Sequence, residues 1–282
     1  MRTLWAFGDS AVWERNFLTD EYAHETWINI IADELDLEIE NHALSGTSIE
    51  WVFYTYHRAL KNIKKGDVVI LALTSINRRW VVSRVPAFTQ VALLEDLPFS
   101  KYMIEAKGHT LEEINAFKYL LNNVNTELMQ IQLELFIDAV AAHQKEKEFT
   151  VITMPSTTIT EKCDISRPNF INCYGNYYDI AKREVTLGTE VRVIPDPRVN
   201  HLVGANHLIL AKKYIEAIRH GRAIDLNNGF LENFLDDNDI QNMRNHMENN
   251  RTIWENGKDY FSKKYWNQGM HIATSLDKKE QV

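Results

Sequence analysis

Cysteine is scarce in this 282-residue chain: two are present, Cys163 and Cys173, in a stretch rich in Asn, Asp, Pro and Tyr. No Cys-x-x-Cys spacing and no nearby histidine cluster accompanies them, which argues against a thiolate metal site. Two reduced structural thiols are the expectation, a disulfide being an option only in an oxidising compartment. Long apolar runs are missing as well. No stretch approaches the roughly 18 apolar residues of a membrane span, and no apolar segment follows basic residues near the start as in a secretory signal. The expectation is a soluble chain, cytoplasmic or of unassigned compartment. Excess positive charge is also absent. Lys and Arg number 31 against 39 Asp and Glu, a net charge of −8, so nothing electrostatic points to nucleic acid or an anionic membrane as partner. What remains is an ordinary globular composition, 45% hydrophobic and 25% charged, with a neutral or small ligand in view. The length suits one sizeable domain with an appendage, or two small domains.

What is present is an alternation of strand and helix signals, the pattern of a parallel α/β sheet. Residues 3–7 form a candidate strand. Residues 21–37 carry Trp27, Ile30, Ile31 and Leu35 at helical spacing. A short strand follows at 37–41 and a second helix at 49–63, closed by Lys64, Lys65 and Gly66. The run 68–73, apolar throughout and β-branched at its start, reads as a buried central strand. Helical spacing returns over 111–147 through Ile114, Phe117, Leu121, Val124, Leu128, Ile131, Leu135 and Val140. Strands are expected at 149–154 and 190–194, and a final helix at 202–219. From about residue 225 the composition turns to Asn, Asp, Lys and aromatics, with Phe230, Leu231, Phe234 and Leu235 in a helical pattern. This gives two parts, a main domain over 1–222 and a helical extension over 223–282.

Chemistry first suggests itself at Gly8-Asp9-Ser10, directly behind the opening strand. Gly8 permits a tight turn, and Ser10 stands where backbone N–H groups point outward, as a nucleophile requires. Acyl chemistry at a serine also needs a base and donors aimed at the developing oxyanion. His201, just ahead of the final helix, supplies the base. Asn41 with Gly46, and the stretch Thr74-Ser75-Ile76-Asn77, supply amides, a hydroxyl and an unobstructed N–H at the ends of the second and third strands. Strand ends on the carboxyl side of a parallel sheet converge on one crevice.

These four blocks, in this order, resemble the SGNH, or GDSL-type, hydrolase family. The resemblance covers roughly the first 220 residues and implies a three-layer α/β/α, flavodoxin-like sandwich with a mostly parallel five-stranded sheet, here with a helical insertion and a C-terminal helical extension. It further implies Ser10 as nucleophile, His201 as general base, and an oxyanion hole from the Ser10 N–H, the Gly46 N–H and an asparagine side chain, with no cofactor and no metal. Asn41 and Thr74 fall where they would contact substrate.

Two positions depart from the family pattern. Its third block reads Gly-x-Asn-Asp, whereas counting from the strand here puts Ile76 at the asparagine position and Asn77 one step later. Asn77 serves if the loop shifts by one residue; otherwise the hydroxyls of Thr74 or Ser75 are the donors. The family's acid lies three residues before the histidine, where this chain has Arg198. Asp196, the preferred orienter, adjacent Asn200, or a Ser–His dyad held by a backbone carbonyl are the alternatives. His207, a rival base, falls inside the final helix, where a structural role is expected. The function this implies is a serine esterase that removes a small acyl group, such as acetyl, from a carbohydrate or other small ester. The other reading is a catalytically silent SGNH-like module for binding or assembly, a homo-oligomer through its C-terminal helices.

Overall fold

In the computed structural model the described residues are 1–12, 26–43, 47–76, 125–186, 202 and 204–239, and every structural statement below concerns these. Six strands are present: β1 (Thr3–Phe7), β2 (Glu38–Asn41), β3 (Val68–Leu73), β4 (Thr150–Pro155), β5 (Ile171–Tyr174) and β6 (Ile224–Asp225). They form one sheet in the order β2-β1-β3-β4-β5-β6, every neighbouring pair parallel. The helices are α1 (Trp27–Leu35), α2 (Ile49–Ala59), α3 (Thr126–Lys147), the single turn α4 (Thr158–Glu161), α5 (Tyr177–Arg183) and α6 (Gly204–His220).

Side-chain alternation along the strands sorts the core into two layers. Leu4, Ala6, Ile70 and Ala72 pack with α1, α5 and α6 on one face. Trp5, Phe7, Val69, Leu71 and Leu73 pack with α2 and α3 on the other. The result is an α/β/α sandwich. All six residues of β3 are buried, as a continuous apolar run covered on both faces requires. Asp67, just ahead of β3, ties β1 to it. Its carboxylate accepts from Thr3 N (2.9 Å), Trp5 Nε1 (2.9 Å) and Lys64 N (2.9 Å), which pins the register that carries the end of β1 to its place.

Three expectations change. The sheet has six strands rather than five, and β5 lies in the stretch rich in Asn, Asp, Pro and Tyr, where no strand is expected; the strand expected at 190–194 lies outside the described residues. A four-residue strand with Asn172 in it gives little periodic signal, yet that asparagine fixes it. Its amide accepts from Arg167 N (3.3 Å) and donates to Arg167 O (3.2 Å), closing the turn before the strand.

The second change concerns α3, which begins where the Asn125 side chain accepts from Leu128 N. It buries Met129, Leu133, Ile137 and Val140, while Leu128, Ile131 and Leu135 from the expected stripe are exposed. Third, residues 224–235 are no helical extension. β6 pairs with β5, and Leu226, Phe230 and Leu235 are buried, so the boundary expected at 222 falls inside the domain. No helix of the described residues is long and apolar enough to cross a membrane.

Candidate active site

Because all strands are parallel, their carboxyl ends share one edge, and the chain's progress across the sheet reverses between β1 and β3. Such a switch point leaves a crevice where the flanking connections diverge. β1 delivers Gly8-Asp9-Ser10 to it. Gly8 is needed here for close approach rather than for an unusual φ. A Cβ at this position would lie 2.7 Å from Val12 Cγ2, 2.8 Å from Ala72 Cβ and 2.9 Å from the Ala72 carbonyl oxygen. A backbone oxygen of the central strand has nowhere to go. Gly8→Ala is therefore expected to cost about 1–3 kcal/mol by overpacking and to displace Ser10; urea unfolding and the rate of serine labelling measure the two effects.

Asp9 is buried and organises the turn. Oδ1 accepts from Ala11 N (3.0 Å) and Oδ2 from the Thr74 hydroxyl (2.8 Å), joining the end of β1 to the end of β3. Ser10 follows, 9% exposed. Among the described residues its hydroxyl and its N–H have no hydrogen-bond partner.

The loop behind Ser10 is held from three directions. Asn41, at the end of β2, donates from Nδ2 to Val12 O (2.7 Å) while its Oδ1 accepts from Ala43 N (2.9 Å). Trp27 donates from Nε1 to Ala11 O (2.8 Å). Thr47 donates to Gly8 O (3.3 Å). Trp27 is in turn fixed by His207, whose Nδ1 accepts the Trp27 backbone N–H (3.3 Å), one of the donors that a helix leaves unpaired in its first turn. His207 is thus a brace within α6, buried and bonded as an acceptor.

The sequence-derived site residues fall into two groups. Ser10, Asn41 and Thr74 come together at the carboxyl edge, with Ser75 beside them. His201, Asp196, Gly46 and Asn77 lie outside the described residues, as do Arg198 and Asn200. Their described chain neighbours Thr47, Ile76 and Leu202 are buried. The Thr74 hydroxyl donates to Asp9 Oδ2 (2.8 Å), so in this structure its proton is engaged within the turn, while its oxygen keeps acceptor capacity. Asn41 has one amide hydrogen left after Val12, and its larger work is to hold the loop.

No family model, curated protein or solved structure matches this chain. The site is therefore read from its own chemistry. A further histidine, His42, stands next to Asn41 at the carboxyl end of β2, but its ring is stacked on Phe7 (5.3 Å between centroids) and Trp5 (6.0 Å). Burial holds its pKa below the usual histidine value, against the opposing pull of Glu40. It is a neutral packing element. Trp27 and Thr47 are supports that sequence reasoning passed over; for His207, expected in a structural role, and for Asp9, expected in the turn, the structure adds the bonding partners. Trp27 carried only a helical-spacing signal, and nothing local announces a hydrogen bond 180 positions away.

Proposed function

We propose that this chain is a serine ester hydrolase of SGNH type, acting on a small acyl ester such as an O-acetyl group on a carbohydrate. One observation carries the reading: a serine at the carboxyl end of β1, at the switch point of a parallel sheet, in a turn where Asp9, Ala11 and Val12 are anchored while, among the described residues, the serine hydroxyl is not. Fixed scaffolding around an unengaged nucleophile is what preorganised acyl transfer needs. In this reading the Ser10 oxygen attacks the ester carbonyl as His201 takes its proton. The tetrahedral oxyanion receives N–H donors from Ser10 and Gly46 and the Asn77 amide. His201 returns the proton to the leaving alcohol, and water releases the acyl group by the same route. Asp196 orients the imidazole and steadies its charged form.

The second reading, a silent SGNH-like module, is favoured by two particulars: the Thr74 hydroxyl is spent on Asp9, and Arg198 stands at the family's acid position. A fluorophosphonate probe separates the two. Stoichiometric labelling located on Ser10 by peptide mapping is the expected result; no labelling of the folded protein leaves the silent module.

A further inference from the structure

At the carboxyl ends of β4, β5 and β6 lies a cavity of about 350 Å³ that the serine site does not use. Its apolar lining is buried Pro155, Ile165 and Cys163 with half-buried Cys173. Its exposed lining is polar and formally carries one charge: Glu161, Ser166, Tyr174 and Asn227.

The chemistry of this lining selects a ligand class. None of the described lining residues is cationic, and a carboxylate stands among them, which disfavours phosphates and other anions. A lone carboxylate that already accepts from Asn176 Nδ2 (2.8 Å) is too few oxygens for a bound cation. The thiols offer no nucleophile. Burial pushes Cys173 up to about 12, and its sulfur lies 3.5 Å from the Tyr214 hydroxyl; Cys163 is raised by burial as well. The patch is too polar for an acyl chain. What it does combine is an acceptor, a hydroxyl, an amide and an aromatic ring.

That ring is unusually presented. Tyr174 is 59% exposed, yet its backbone is held in the sheet by pairing with Asp225 and by the Leu226 N–H on its carbonyl (2.8 Å). A rigid backbone carrying an open aromatic face makes contact at low entropy cost. Asn227 is fixed likewise, its N–H on Asp225 Oδ1 (2.8 Å). Its amide lies against Gly175, where a Cβ would meet Asn227 Oδ1 at 2.5 Å.

We infer that this cavity is a subsite for a neutral sugar ring, which packs its C–H face on Tyr174 and exchanges hydroxyl hydrogen bonds with Glu161, Ser166 and Asn227. Neighbouring strands lie about 4.8 Å apart. Ser10 follows β1, and β4 and β5 stand two and three places along the sheet, so the cavity is roughly 10–14 Å from the serine. One sugar ring does not span that gap; a short oligosaccharide does. The assignment as a substrate subsite rests on the hydrolase reading, and the binding of a sugar does not.

Isothermal titration calorimetry on the full chain tests it, with xylotetraose, cellotetraose and N-acetylchitotetraose as neutral probes and inorganic phosphate as the charged one. At least one tetrasaccharide binds, equally well to the wild type and to Ser10→Ala. Tyr174→Ala weakens that binding about tenfold, and Tyr174→Phe retains it. Ser166→Arg, which fills the cavity from an exposed position, blocks binding and covers the case in which Tyr174→Ala fails to fold. Silence from all three sugars, binding of phosphate alone, or sugar binding indifferent to both Tyr174→Ala and Ser166→Arg overturns the subsite. Sugar binding in a chain that the fluorophosphonate leaves unlabelled overturns the hydrolase reading and keeps the site.

Discussion

Ser10→Ala is expected to lower kcat for p-nitrophenyl acetate by about four orders of magnitude or more, with KM little changed. The nucleophile acts as a unit with its base. Its removal elsewhere costs on the order of 10⁶ in turnover and leaves a residue of roughly 10³ over water from the oxyanion donors. The split between constants follows from the same logic. The ester is held by donors and walls that the variant keeps, whereas the bond to carbon is lost outright. Stability serves as the control. The Ser10 hydroxyl has no hydrogen-bond partner among the described residues, so its loss is expected to shift unfolding by no more than about 0.5 kcal/mol. Wild-type turnover in a folded Ser10→Ala protein would remove the serine from the mechanism. His201→Ala is expected to match the serine variant in kcat, because base and nucleophile fail together.

What could be read from the chain beforehand follows the strength of the local signal. β1 and β3 are apolar runs at the centre of the sheet, and burial on both faces leaves an unmistakable stretch such as Val68–Leu73. β5 and β6 are short elements, β6 at the edge of the sheet and β5 next to it, whose stability comes from their neighbours. Asn172 looks like a loop residue until its bonds to Arg167 are seen. On α3 the sequence offers two apolar stripes, one through Leu128, Ile131 and Leu135 and one through Met129, Leu133 and Ile137. Periodicity alone cannot choose between them; the sheet does, by burying the second. The nucleophile turn was legible because glycine, aspartate and serine each have a local reason to be there. The reason for Gly8 differs from the one expected: its neighbour is the Ala72 carbonyl across the sheet, a contact no local rule encodes. The support at Trp27, and the partner through which His207 fills the structural role expected of it, were illegible for the same cause, as both depend on contacts distant in sequence.

The largest structural effect is expected from ending the chain after Arg222. That cut follows the change in composition, and it removes β6 together with Ile224, Leu226, Phe230 and Leu235, all buried. Each such side chain is worth about 1.5–3 kcal/mol in the core, so the loss is roughly 6–12 kcal/mol, comparable to the whole stability of a typical domain, about 5–15 kcal/mol. Polar groups add to it. Asn206, fully buried, exchanges hydrogen bonds with both the N–H (2.9 Å) and the carbonyl (3.0 Å) of Leu231 and donates to Glu184 (2.8 Å). The Glu184 carbonyl receives Phe234 N (3.0 Å) and Leu235 N (3.0 Å), and the Arg183 guanidinium reaches Leu226 O (2.9 Å). Truncation strands these groups without partners. A chain of residues 1–222 is expected to show no cooperative urea transition by circular dichroism, and a wild-type midpoint would refute this account of the boundary. Ending instead after Asp239 leaves every contact described here in place. That shorter protein is expected to unfold with the cooperativity of the full chain, and its mass in solution decides whether residues 240–282 join one copy to another. An unchanged oligomeric state on their removal would end the proposal that this segment drives assembly, and would leave the serine hydrolase as the reading to pursue.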